Sequence, residues 1–435
     1  MKKIKLQEGC RAAHNNNNNN NNNNSCKRKR IKIRITKMAG ETTTKAAGEK
    51  AASFGKVHVP YGEDGSGHYT LATKGCFDVI ENAKELCLEA LNKAEKPSSA
   101  TTQEQALCIA DYGTADGGTS MPLITELIRD HRKRDPNGDV LVTYEDQPNN
   151  DFKSLFFYVQ GIKDLGRDGY SKSYLEEFDN VYVTACGTSF HKQCFPSNSV
   201  HLGVSFTAMH WLNKKPCNIT TGVHMTQAKG EERDKFAAQA AEDWENLLFH
   251  RANELAPGGR MVIVNFCVDA NGYHLGYTDK SSVCMYDEFN RHWQAMMSEG
   301  KITKEEYEAG TILNYYRNDA EMRAPFAEGT RVFAAGLRLV SAETKITRCP
   351  YNEDYVANKA NRDAREAAKG IIGTMRTWSN SSFLTALDSN TRTEAERKAL
   401  VDELYGRYED AIAADPEKNH MDYAHHYIVM EKVGQ

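Results

Sequence analysis

Leu107-Cys108-Ile109-Ala110-Asp111-Tyr112-Gly113-Thr114-Ala115-Asp116-Gly117-Gly118 is the stretch on which the reading of this chain turns. An apolar run leads into an acidic residue, a glycine and then a glycine pair. Met121-Pro122-Leu123-Ile124-Thr125-Glu126-Leu127-Ile128 follows, with apolar residues at helical spacing. The pattern predicts a strand, a tight turn and a helix start. Glycine there lets backbone N–H groups approach a ligand closely, and the helix N-terminus adds partial positive charge. A turn of this kind is where an open α/β sheet binds a nucleotide-like cofactor. No Gly-Lys-Ser/Thr follows, which excludes a P-loop, and the absence of a clean G-x-G-x-x-G weighs against NAD or FAD. One acidic residue beside exposed amides matches S-adenosylmethionine (SAM), whose amino-acid end is zwitterionic and whose sulfonium is positive. Taken singly, the stretch also reads as an ordinary glycine turn.

Outward from it, four further runs read as strands: Val140–Asp146, Val181–Ala185, Met261–Phe266 and Arg331–Ser341. Leu107–Asp111 and the first three of these are mostly continuous apolar runs, as buried parallel strands are. Helical patterns alternate with them, over Ala83–Ala94 and over Lys235–Leu255. The latter has Phe236, Ala240, Trp244, Leu247, Leu248 and Ala252 on one stripe and a stop signal at Pro257-Gly258-Gly259. The alternation implies an α/β fold with a doubly wound parallel sheet. We place the core sheet at about 100–200 and 235–345. Insertions at about 200–232, 280–330 and 350–400 are expected to cap the carboxyl ends of the strands, where ligands bind.

Composition narrows the function class. The 435 residues, 40% hydrophobic and 26% charged, are those of an ordinary globular protein large enough for one enlarged domain or two. No apolar run approaches the ~18 residues of a membrane span, and no signal-peptide pattern opens the chain. Eleven cysteines, with no C-x-x-C pair or Cys/His ligand spacing, suit a reduced cytoplasmic setting and give no metal site. Residues 1–40 hold 11 basic residues against one glutamate, whereas the whole chain carries −4, so the body is acidic. That body argues against a nucleic-acid-binding core. The asparagine tract Asn15–Asn24 and the cluster Lys27-Arg28-Lys29-Arg30 mark residues 1–55 as an expected disordered, basic tail, with residues 56–435 as the folded domain. Met38-Ala39-Gly40-Glu41 resembles an ordinary protein start.

The second strand runs into Glu145-Asp146-Gln147-Pro148-Asn149-Asn150-Asp151-Phe152. A carboxylate at such a strand end can accept both hydroxyls of a ribose, and Asp146 and Glu145 are the candidates. Asp151, just before Phe152, reads as a helix N-cap. With these residues in view, the chain resembles the SABATH family, the salicylate, benzoate, jasmonate and caffeine-type methyltransferases. Ile109-Ala110-Asp111-Tyr112-Gly113 is similar to the family's IADLGC, and Glu145–Phe152 to its NDLPGNDF. Gly187-Thr188-Ser189-Phe190-His191, Ser205–Leu212, Pro257-Gly258-Gly259-Arg260-Met261-Val262 and Met297-Ser298-Glu299-Gly300 resemble further family segments in the same order, from about residue 58 to 430.

The resemblance implies a Rossmann-like class I SAM-dependent methyltransferase core, with SAM as cofactor, a homodimer as the assembly and a small carboxylic acid as the methyl acceptor. Carried over by position, SAM contacts fall at Tyr69, Thr114, Thr119, Asp146, Gln147, Ser189 and Phe190. Asp111 and Gly113 shape the turn, Asp146 takes the ribose, and Ser189 and Phe190 flank the adenine. Thr207, His210 and Trp211 line the acceptor pocket, where an indole N–H can donate to a carboxylate. The departures are specific: the family's Ser-Tyr pair reads His68-Tyr69, its carboxylate-binding glutamine falls at Cys76, its pocket tyrosine becomes Thr207, and His210 precedes the tryptophan. His210 is thus a possible catalytic or carboxylate-pairing residue, or a plain core histidine. Methyl-ester formation is the leading expectation. The rivals are N-methylation of a heteroaromatic ring, a non-catalytic SAM-binding protein, and an RNA-associated enzyme guided by the basic tail.

Overall fold

The computed structural model describes residues 61–94, 106–166, 172–281 and 283–434. These belong to one compact unit, Glu49–Gln435. The basic Asn-rich tail lies outside the described residues. Strand β1 (Leu107–Tyr112) is the centre of the fold and is buried throughout. Its alternation sends Leu107 and Ile109 into one apolar core, shared with Val79, Ile80, Leu123 and Leu127. Cys108, Ala110 and Tyr112 enter a second core, shared with Trp244, Leu247, Leu248 and Ala252. Two cores on two faces of one strand are what a sheet covered by helices on both sides requires.

The sheet has seven strands in the order β3-β2-β1-β4-β5-β7-β6, with β2 at Val140–Glu145, β3 at Val181–Cys186, β4 at Val200–Phe206, β5 at Leu255–Phe266, β6 at Leu337–Thr347 and β7 at Tyr423–Lys432. Strands β1 to β5 are parallel, while β7 runs antiparallel to both β5 and β6. The sheet is therefore mixed rather than wholly parallel. Strand order reverses between β1 and β4, and a ligand crevice forms outside the carboxyl ends of strands at such a switch point. The main helices are α1 (Lys74–Glu81), α2 (Lys84–Lys93), α3 (Met121–Arg132), α4 (Phe152–Val159), α5 (Gly230–Glu254), α6 (Met285–Ser298), α7 (Ala364–Ala386) and α8 (Glu394–Ala414). Among the described residues, no helix is long and apolar enough to cross a membrane.

Several boundaries depart from the sequence reading. Residues 200–206, expected in a cap, form the central strand β4. Its His201, Gly203 and Ser205 hide the apolar pattern, yet each fits: His201 Nδ1 accepts the Cys108 N–H at 3.0 Å and Ser205 Oγ donates to the Tyr112 carbonyl at 2.9 Å. Strand β7 also fell outside the expected core ranges, because His425-His426 and two tyrosines break its apolar run. Pro257-Gly258-Gly259 does not separate helix from strand. Strand β5 starts at Leu255, directly after α5, and carries these residues as an irregularity in its register with β4. Arg331–Ala334 is a helical turn capped by Thr330, whose Oγ1 accepts the Phe333 N–H, and β6 begins only at Leu337.

Candidate functional site

The carboxyl ends of β1, β2, β4 and β5 open into one cavity of about 600 Å³. At one end lie Gly113, Ala115, Asp146, Gln147, Ser189 and Phe190, and at the other His210, Trp211, Phe266, Leu313, Asn314 and Tyr316. Tyr69, Cys76 and Thr207 line the same cavity. A narrow recess beside it is walled by Asp111, Thr114, Thr119, Ser120, Tyr69 and Thr207. Every residue that the resemblance assigned to SAM or the acceptor thus reaches the cavity or this recess, whereas Glu145, the other ribose candidate, does not.

The turn after β1 is fixed from below. Gly113 has φ 71°, and a Cβ there would lie 2.2 Å from the Cβ of Ala208, so only glycine fits. The N–H groups of Gly113 and Thr114 both donate to the Glu145 carbonyl, at 2.8 and 3.0 Å. Asp111 is buried under the turn, where its Oδ2 accepts from Thr114 Oγ1 at 2.9 Å and from Ser120 Oγ at 2.6 Å. Burial pushes its carboxyl up to about 6, against the lowering effect of those two hydroxyls. Asp111 is therefore the brace of the turn, and its hydroxyl partners are the same Thr114 and Ser120 that wall the recess.

The two carboxylates that end β2 part ways. Glu145 is wholly buried, accepts the Gly113 N–H at 3.2 Å, and is held well above the usual carboxylate range by burial. Asp146 faces the cavity. Its Oδ2 accepts the Ala115 N–H at 2.8 Å and its Oδ1 the Gln147 N–H at 2.7 Å, while burial raises its carboxyl to about 7. Ala115 takes a left-handed φ of 51°, held by Asn150, whose Nδ2 donates to its carbonyl at 2.6 Å. Asp151 caps α4 as the sequence suggested, accepting the Ser154 N–H at 3.0 Å.

Two supports escaped the sequence reading. Asp116 accepts from the Thr70 N–H at 2.9 Å and from Thr70 Oγ1 at 2.6 Å, which pins the short helix His68–Ala72 over the turn and carries Tyr69 into the cavity. The Tyr69 hydroxyl lies 3.5 Å from Cys76 Sγ. The far wall of the other end comes from Phe266, Asn314, Tyr316, Trp378 and Tyr423. These residues come from separate segments, and no local motif announces them.

That far end is aromatic, and most of its rings are buried. Thr207, a β-branched residue at φ 55°, closes β4 and donates its N–H to Val264 at 2.8 Å. The buried His210 ring meets Phe266 edge-on at 4.9 Å and lies 5.5 Å from Trp211. Trp211 pairs with Asn314 through an isolated backbone bridge. Behind them Tyr286 and Tyr316 share a hydroxyl–hydroxyl hydrogen bond, and His224 stacks flat on Tyr286 at 3.6 Å. Burial holds the His224 imidazole well below its ordinary value and His425, stacked on Phe266, at about 3, so both are neutral.

Known proteins give the same reading. The family described as SAM dependent carboxyl methyltransferase matches residues 58–433. The chain is 26% identical over 279 residues to a probable 7-methylxanthine methyltransferase 2 of Theobroma cacao, covering 60% of this chain and 70% of that one. It is 22% identical over 338 residues to a benzoic acid/salicylic acid carboxyl methyltransferase 1 of Petunia hybrida, covering 76% and 86%. A solved loganic acid methyltransferase with S-adenosylhomocysteine (SAH) superposes with a TM-score of 0.63 at 18% identity, covering 86% of this chain and 99% of that one. With the family match spanning nearly the whole described chain and the fold shared, this protein belongs to the SABATH family of SAM-dependent methyltransferases.

Proposed function

We propose that the protein transfers the methyl group of SAM to the carboxylate of a small organic acid, yielding a methyl ester and SAH. The observation that carries this reading is the charge distribution of the cavity. Among the described lining residues the one carboxylate is Asp146, at the cofactor end. The opposite end offers neutral donors and the exposed Lys214 and Lys215. Such a lining keeps the negative charge at the cofactor end and leaves the opposite end open to an anionic acceptor.

The residues fit SAM. The glycine turn leaves room for close backbone approach, and Asp146 is a cavity-facing carboxylate able to hold two ribose hydroxyls once ionised. Gln147 lies beside it, and Ser189 and Phe190 flank the adenine. Tyr69, Thr114 and Thr119 surround the amino-acid end, and Asp111 and Gly113 keep the turn in shape. Bound there, SAM supplies a methyl group on a positive sulfonium sulfur. The protein's own part is placement and dehydration. A carboxylic acid, with a pKa near ~4, is already ionised at neutral pH, so no general base is required. Trp211 donates its indole N–H to one acceptor oxygen, His210 pairs with the carboxylate in place of the glutamine replaced by Cys76, and Thr207 closes the wall. The aromatic lining would strip water from the nucleophile and aim it at the methyl group that SAM would supply, a placement whose effect is greatest at near-attack separations of about 3–3.5 Å.

One observation favours a second reading. Asn314 Oδ1 is buried without a hydrogen-bond partner among the described residues, and Asn314 lines the acceptor end. It could accept an N–H, which suits methylation of a heteroaromatic nitrogen. Matched pairs of acids and their carboxamides separate the two. Turnover of the acid alone supports ester formation, and turnover of N–H heterocycles with no acid consumed overturns it. Residence in the cytoplasm as a homodimer completes the proposal, and a solution mass equal to one chain would contradict the dimer.

A further inference from the structure

We infer that the buried Arg251–Glu254 pair at the end of α5 is a positioning device for the cofactor, holding the segment that carries Ser189 and Phe190 against the end of β1. The inference rests on the reading that Ser189 and Phe190 flank the adenine. Both side chains of the pair are fully buried, and they sit one helical turn apart, just before β5 begins. Arg251 Nε donates to Glu254 Oε2 at 2.7 Å and Nη2 to Oε1 at 2.8 Å. The rest of the guanidinium is spent on main chain: Nη1 donates to the Phe190 carbonyl at 2.8 Å and Nη2 to the Lys192 carbonyl at 2.7 Å.

Glu254 completes the clamp from the other side. Its Oε1 accepts the N–H of Phe195 at 3.2 Å and that of Cys194. Its Oε2 accepts the Tyr112 hydroxyl at 2.6 Å, and the Tyr112 ring lies 4.4 Å below the guanidinium. Tyr112 is the last residue of β1 and the neighbour of Gly113. One ion pair therefore ties the cofactor turn to the segment across from it. A buried pair is poor value as a stabiliser, since well-packed apolar side chains of the same volume do as well or better. What it supplies here is direction. A planar fork with several fixed donors can hold a carboxylate and two carbonyls at once, and a lysine ammonium cannot.

The test is SAH binding by titration calorimetry with the full chain, at a temperature where every variant is folded. Arg251→Lys keeps the charge and loses the fork. The double replacement Arg251→Met with Glu254→Leu removes the pair without stranding a charge. We expect both to weaken SAH binding about tenfold or more. Arg392→Lys, in an ion pair with Glu306 away from the cavity, should lower the melting temperature without changing SAH affinity. Phe190→Ala separates the two layers of the argument: if it leaves SAH affinity unchanged, the adenine assignment fails. If it weakens SAH while both Arg251 replacements bind within twofold of the parent, the positioning role alone fails. The parent protein supplies a check that no misfolded variant can spoil. The Cys194 and Phe195 amides should resist hydrogen exchange before SAH is added, and rapid exchange there until SAH binds would overturn the inference.

Discussion

The two ends of the cavity are built by different rules. The end we propose for the cofactor is made largely of turns that directly follow β1 and β2, with backbone N–H groups, one glycine without room for a side chain, and a carboxylate fixed by two amides. The acceptor end is made of side chains brought from separate segments: Trp211 after β4, Phe266 at the end of β5, Asn314 and Tyr316 beyond α6, and Trp378 on α7. The first end is constrained by main-chain geometry and tolerates little change. The second depends on which rings and polar groups happen to meet, and it can change its acceptor while the fold stays the same. Substitutions at the two ends should accordingly separate, with cofactor binding lost at one and acceptor use altered at the other.

The sharpest break is Gly113→Ala. The new methyl would overlap Ala208 and force an unfavourable φ, at a cost of about 1–3 kcal/mol for each effect. SAH binding should be lost and the melting temperature should fall. Ala208→Gly in the same chain should restore part of both, and no restoration would show that the close approach is not the cause. Next comes Asp146→Asn, which removes the charge from the proposed ribose site. Charge-assisted hydrogen bonds of about 1.5–3 kcal/mol correspond to a rise of roughly 10- to 100-fold in the SAH dissociation constant. A rise under threefold would remove Asp146 from that role.

At the other end, His210→Gln should raise the acceptor KM several-fold and leave SAH affinity within about twofold. Full activity on the natural acceptor would eliminate both the pairing and the base roles of His210. A smaller effect is expected with pH. Burial raises the Asp146 carboxyl to about 7, so below that pH the carboxylate that we propose holds the ribose is mostly protonated. SAH affinity should rise with pH and level off above about 7, and at pH 6 it should be roughly tenfold below its plateau. The same shift acts oppositely on the free protein. Its native state holds this proton more tightly than the unfolded chain does, so the stability it contributes is present at low pH and is lost as pH rises from about 4 to 7. An SAH affinity independent of pH between 5.5 and 8 would place the titrating group elsewhere. The smallest effect should come from Thr207→Gly, which relieves a positive φ at a β-branched residue and costs only backbone entropy in return, leaving stability within about 1 kcal/mol.

The comparison also explains what could be read from the chain. The turn of Asp111 and Gly113, the cap at Asp151 and the strand end at Asp146 are local patterns, and each depends on a few consecutive residues. The strand end alone offered both Glu145 and Asp146, and alternation turns Glu145 into the interior and Asp146 toward the cavity. Strand β4 was missed because its His201, Gly203 and Ser205 are polar or small for reasons that lie in neighbouring strands. The brace from Asp116 to Thr70, the Arg251–Glu254 clamp and the wall of Asn314 and Tyr316 join residues dozens to hundreds of positions apart. No periodicity or motif encodes such pairings.

The most direct measurement is a chemical one. The full-length protein would be incubated with methyl-labelled SAM and a pool of small carboxylic acids and N-heterocycles, and labelled products would be identified by mass spectrometry before and after mild base. The account predicts a labelled product that base cleaves to release labelled methanol and the parent acid, as a methyl ester must. A labelled product that survives base, carrying its methyl group on a ring nitrogen, would contradict it.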